Sequence, residues 1–337
     1  MFKHETLFVV GAGASAEFGL PPGRALAETI SKKTDIRFER GFDPVGSGDM
    51  DIYRQLTGGM RYDVHEYQKA GWLIRDGIAL SRSIDDFLDL HRLNLHVVQY
   101  GKAAIVRSIL EAERGSRLYF GGTSGREAFN PGNVTDTWLV KLTQMLAPGV
   151  PRENVRRIFD HISFIVFNYD RCIEFFLLHA LQKLYGINEA EASDIMGDLD
   201  IVHPYGFISS ATPFGATSTD YVKLAGGIKT YTEQIGDAAF LNKIATSIDR
   251  AKRMVFLGYA YHSQNMQLLQ PPGKTSAKPI FGTGYGMSDS DIEFVSAELA
   301  NSFKQSLNAH QRAHFIRIEN KLKCADLFDH YAKSLTA

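Results

Sequence analysis

Thr6-Leu-Phe-Val-Val10 runs directly into Gly11-Ala-Gly-Ala-Ser-Ala16, and this junction decides the fold class. The first five residues form the short, unbroken run typical of a strand buried on both faces. The hexapeptide after it satisfies G-x-G-x-x-G/A. Gly11 permits a tight turn, Gly13 lets backbone approach a pyrophosphate, and Ala16 allows close packing of the following helix. The breaker pair Pro21-Pro22 then precedes helix-forming residues from Gly23 to Lys32. Strand, glycine turn and helix in that order open a doubly wound, Rossmann-like α/β unit with a mostly parallel sheet.

Strand signals become scarce beyond this opening. From 34 to 149 the pattern is helical, over Ile84 to Leu95, Ala103 to Glu113 and Asp136 to Leu146, with a Gly/Ser/Asn-rich loop from Gly115 to Pro131. Ser83-Ile-Asp-Asp86 has capping-box spacing, so capping is the leading reading for Asp85 and Asp86. Buried-strand runs return at His161 to Phe167, Asp200 to His203, Arg253 to Leu257 and Pro279 to Phe281, with an apolar helix from Cys172 to Tyr185. The expected organisation is an α/β domain made of 1–33 and 150–337, with a mostly helical insertion over 34–149 that covers the site. Polar or glycine-containing segments at 11, 168, 203 and 258 each end a strand. In an open α/β sheet such ends face one ligand crevice.

Composition narrows the function classes. The chain has 337 residues, 44% hydrophobic and 22% charged, and a formal net charge of -1. That balance gives no global attraction to nucleic acid, and Arg152, Arg156 and Arg157 read as a solvated helix face. Cys172 and Cys324 are the two cysteines, spaced for neither a C-x-x-C pair nor a four-cysteine zinc site, so no metal is expected. Lone thiols fit a reducing compartment. No apolar run approaches the ~20 residues that span a bilayer. Gly11 and Gly13 interrupt what would otherwise pass for a signal-peptide core. A cytoplasmic protein is expected.

Four motifs recur in sirtuin order and spacing: Gly11-Ala-Gly-Ala-Ser15 with Gly19-Leu-Pro21, Phe167-Asn-Tyr-Asp170, His203-Pro-Tyr-Gly206 and Leu257-Gly-Tyr259. The chain resembles the sirtuin-like NAD hydrolases of bacterial anti-phage defence, over about residues 5–30 and 160–290. The resemblance implies that Asn168 contacts the nicotinamide ribose region and the attacking water. It implies that Asp170 holds the nicotinamide end or its loop, and that His203 acts on the ribose hydroxyls as base or hydrogen-bond partner. Gly258 and Tyr259 stand where the family holds the adenosine ribose. Gly11, Ala12, Gly13, Ala14, Ser15, Pro21 and Thr283 complete the expected nucleotide-binding set. Asp170 also has the type and place of a helix cap.

The resemblance departs from the protein-deacylating branch. That branch carries a four-cysteine zinc module, and its Asp-Phe-Arg after Gly-x-Pro is replaced here by Pro22-Gly-Arg24. Both differences point to water as the acceptor. The implied reaction is cleavage of NAD, as substrate, to nicotinamide and ADP-ribose. Nicotinamide in NAD is already a cationic leaving group. The protein must clamp the pyrophosphate, stabilise positive charge on the ribose and admit water. A histidine of ordinary pKa, near ~6.5, is half-poised to accept a proton at neutral pH. Such an enzyme requires gating, by homo-oligomerisation, a regulatory protein partner or an infection signal. The alternatives are a non-catalytic NAD or ADP-ribose sensor module, a deacylase, or a dehydrogenase. The last wants an acid near Asp35, which lies in no strand-like run.

Overall fold

Every residue from Thr6 to Val10 is buried, as is every residue from Arg253 to Leu257; unbroken apolar runs demand this cover on both faces. The structure is a computed structural model describing residues 2–39, 43–58, 63–121, 128–273, 275–303 and 308–337. Residues 122–127 of the expected Gly115 to Pro131 loop lie outside the described residues.

Six strands build one sheet: β1 (Thr6–Val10), β2 (Ile162–Val166), β3 (Asp200–Val202), β4 (Arg253–Leu257), β5 (Ile280–Thr283) and β6 (Ile316–Glu319). Their order is β3-β2-β1-β4-β5-β6, and every neighbouring pair is parallel. With helices flanking this sheet, the chain has the expected doubly wound α/β class. The chain moves outward from β1 to β3 and then reverses to β4, on the other side of β1. The reversal creates a switch point at the carboxyl ends of β1 and β4, where open α/β sheets bind ligands.

Register then sets the height of each strand end. Val10 is level with Val166 on one side and Leu257 on the other, so Gly11, Phe167 and Gly258 leave the sheet together. Val202 pairs with Ile165, and Gly282 with Phe256, bringing His203 and Thr283 to the same edge. β6 has no sequence signal because Ile316-Arg-Ile-Glu319 is an edge strand of alternating burial, without an apolar run.

Chain contacts divide the protein into two compact units, 1–18 with 120–204 and 237–337, and 19–119 with 205–236. The first holds the sheet. Phe8 on β1 stacks on Phe164 at 5.2 Å and on Phe328 at 6.0 Å. Trp138 covers Phe328 and donates its indole N–H to the Ala14 carbonyl at 3.0 Å, pinning the turn after β1. Glu17 accepts from the backbone N–H of Trp138 at 2.8 Å and of Ala325 at 2.9 Å. One carboxylate thus satisfies the orphan donors of two helices, Trp138–Leu146 and Cys324–Thr336.

The second unit is helical apart from a ribbon of Arg37–Glu39 against Asp43–Val45. Its longest helix, Leu95–Gly115, starts where the Asn94 side chain caps Val97 N–H at 3.2 Å. That cap explains why the expected Ile84 to Leu95 helix stops at Leu90. The Ser83 hydroxyl caps Asp86 N–H at 3.1 Å, as the spacing predicts. Arg107 holds Asp49 at 2.8 Å and Glu111 at 2.9 Å, and Lys33 reaches Glu111 at 2.6 Å. Among the described residues, no helix is long and apolar enough to cross a membrane.

Candidate active site

The glycines after β1 and β4 are required by each other. Gly11 N–H donates to Leu257 O at 2.9 Å, and Gly13 N–H to Gly258 O at 3.0 Å. A Cβ on Gly11 would stand 2.6 Å from Gly258 O, and one on Gly13 would stand 2.8 Å from Gly258 Cα. Sequence reading assigns Gly11 to a tight turn and Gly13 to the approach of a pyrophosphate. The structure spends their small size first on backbone-to-backbone contact between two strand ends. Ala12 and Gly13 keep partial exposure.

The turn after β4 is held by Thr283 of the neighbouring strand β5. Thr283 Oγ1 accepts from Gly258 N–H at 2.8 Å, so Thr283 shapes the turn. Gly258 and Tyr261 both have left-handed backbone, φ 55° and 54°, which for tyrosine costs about 1–2 kcal/mol. Buried Tyr261 anchors itself by donating its hydroxyl to Thr283 O at 3.2 Å. Tyr259 is also buried, edge-on to Phe167 with ring centroids 5.2 Å apart.

Asn168 ties β2 to the first glycine turn. Its Nδ2 donates to Gly11 O at 3.1 Å and to Ser15 Oγ at 2.8 Å. Those bonds orient the amide and leave Oδ1 buried, with no hydrogen-bond partner among the described residues. A buried acceptor left unpaired costs about 1–3 kcal/mol. Asp170 accepts from the N–H of Cys172, the first residue of the helix Cys172–Tyr185, at 3.1 Å, while the N-cap position expected of it falls on Arg171. Burial, the largest influence, pushes its carboxyl above the usual range despite hydrogen bonds from Cys172 and Ser15. Its visible work is to accept from the first N–H of that helix and to hold Ser15.

His203 meets a partner that no motif announces. Its Nε2 lies 2.7 Å from Glu174 Oε1, and its Nδ1 lies 3.2 Å from Asn168 O. Both facing atoms are acceptors, and only the imidazolium donates to two. Burial, the largest single influence, drives the pKa down. The Glu174 carboxylate, the two hydrogen bonds and the charge of Asp170 together outweigh it and hold the pKa above 6.5. The ring therefore departs from the half-poised base expected of a strand-end histidine. Glu174 sits in the first turn of Cys172–Tyr185, where an acid also favours the helix dipole. The available signal was its being the single carboxylate in that apolar helix.

A raised histidine pKa stabilises the fold below the unfolded value and loses that contribution as pH rises through the folded value. Thermal melts should therefore show stability falling as pH climbs above about 6.5, with His203→Gln flattening this slope. A wild-type slope that His203→Gln leaves unchanged contradicts the pairing with Glu174.

Asn168, Asp170, His203, Ser15, Gly11, Gly258, Tyr259 and Thr283 thus meet at one edge of the sheet. No protein-family model matches the chain, and no curated protein matches it. Pro21 belongs to the second unit, half-buried just before the helix Gly23–Lys33. Asp35, the acid a dehydrogenase would want, is in the same unit and bonds Arg37 and Arg75, both at 2.8 Å. A cleft of about 460 Å³, lined by Arg156, Asp198, Asp200, Lys243 and Arg250, lies by the amino end of β2. That is the wrong end of a parallel sheet for ligand binding, and its cations stand among matching carboxylates. The strand carboxyl ends are the better candidate because Asn168 Oδ1 and Glu174 Oε2 are buried there with no hydrogen-bond partner among the described residues.

Proposed function

We propose that the chain is an NAD glycohydrolase, cleaving NAD to nicotinamide and ADP-ribose at the carboxyl edge of β1 to β4. The observation carrying this reading is Asn168. Its amide is anchored on the glycine turn through Nδ2, while Oδ1 is a buried acceptor with no hydrogen-bond partner among the described residues. Such an acceptor suits a hydroxyl or a water molecule. A neutral amide orients either one without itself attacking the sugar. The topology supports the same reading, since the segment after β2 occupies the place where doubly wound sheets engage a ribose.

Asn168 and His203 are 5% and 8% exposed, which fits a closed resting form. An enzyme that drains NAD needs such a form, and gating by self-association or a regulatory protein belongs to this proposal. Cytoplasmic residence and a role in anti-phage defence belong to it as well. The same burial also favours a second reading, a module that binds NAD or ADP-ribose without turnover. Incubating the purified chain with NAD and separating the products by chromatography tests the first. Nicotinamide and ADP-ribose should appear in equal amounts. Calorimetric binding without nicotinamide selects the sensor, and neither binding nor turnover removes both readings.

A further inference from the structure

Both His203 ring nitrogens already have acceptors, at 3.2 Å and 2.7 Å, and the side chain is 4% exposed. Glu174 is placed differently. Its Oε1 serves the imidazole, while Oε2 is a second buried acceptor with no hydrogen-bond partner among the described residues. The side chain as a whole is 26% exposed.

We propose, resting on the NAD-cleaving reading above, that Glu174 is the catalytic base and that His203 is the positioning residue that fixes its carboxylate. Charge favours this division of labour. The ribose becomes cationic as the bond to nicotinamide breaks, and an imidazolium facing it is repulsive. A carboxylate is attractive there and also activates water, as in glycoside hydrolysis. Water adds its oxygen to the anomeric carbon as the carbon–nitrogen bond breaks. The bonding pair leaves on the ring nitrogen and neutralises nicotinamide. The proton from water goes to Glu174 Oε2 and then to solvent. Asn168 Oδ1 is the acceptor that orients that water. Among the described residues, His203 and Asp170 are titratable groups that feel this carboxylate.

The test measures nicotinamide release from NAD by the full-length wild type, Glu174→Gln and His203→Gln across pH, with circular dichroism as the folding control. Glu174→Gln should lower kcat at least about 100-fold with KM within about threefold. His203→Gln should lower kcat about tenfold with KM within about threefold, because the carboxylate loses the ring that fixes it. Should His203→Gln fail to fold, Glu174→Gln and an imidazole NMR titration decide. The His203 signal should titrate at lower pH once Glu174 is an amide. Activity of Glu174→Gln within about fivefold of wild type, or an unmoved His203 titration, overturns the assignment and leaves the NAD reading standing. A wild type that releases no nicotinamide overturns both, before any variant is compared.

Discussion

Gly258→Ala should destabilise the sheet-bearing unit by about 2–5 kcal/mol, the sum of a left-handed backbone penalty and an unrelieved overlap. At φ 55° its new methyl would stand 2.0 Å from Ala14 N and 2.3 Å from the Gly13 carbonyl carbon. Both are backbone atoms, so no rotamer change relieves the contact. The neighbouring backbone has little room to retreat. Gly11 N–H is bonded to Leu257 O, Gly13 N–H to Gly258 O, and Ala14 O accepts the Trp138 indole. Gly273, in the same unit with nothing within 4 Å of a built Cβ, is the matched control. Urea denaturation of the two alanine variants provides the comparison. A Gly258→Ala midpoint equal to that of Gly273→Ala would show that these strand ends do not pack as described.

Asn168→Ala should lower nicotinamide release at least about 100-fold, the usual cost of losing one pre-aligned polar group in a transition state. The stability cost should be smaller, about 1–2 kcal/mol, for two lost hydrogen bonds in a place where Gly11 O still accepts from Ala14 N–H. This separation of magnitudes gives the test its value. A merely structural amide would melt the protein in proportion to its loss of activity, and refolded variant would recover turnover at low temperature. Single-turnover rates below the variant's melting point distinguish the two. Retention of turnover within about tenfold removes Asn168 from the chemistry.

Much of the site's membership was readable from local pattern. The runs Thr6 to Val10 and Arg253 to Leu257 announce strands, and each ends in glycine because its successor must turn within one or two residues. Asn168 and His203 stood out because each follows a buried run at its carboxyl end. Glu174 did not. Its partner His203 is 29 residues away, and an acid in a helix's first turn has a sufficient local explanation. The left-handed conformation of Tyr261 was equally silent, since tyrosine carries no turn signal.

What the amino-acid sequence determined by itself is the class of the fold and the places where the sheet stops. Hydrophobic period and glycine placement act over a few residues, and their reading needs no knowledge of distant segments. The tertiary structure alone decided which strand ends share a level, through the registers of β1 with β2 and β4. It alone brought the backbone of Gly11 and Gly13 against that of Gly258. It also paired His203 with Glu174, changing the charge the imidazole prefers. These outcomes depend on through-space contact between remote residues, and burial then multiplies the strength of each charge interaction.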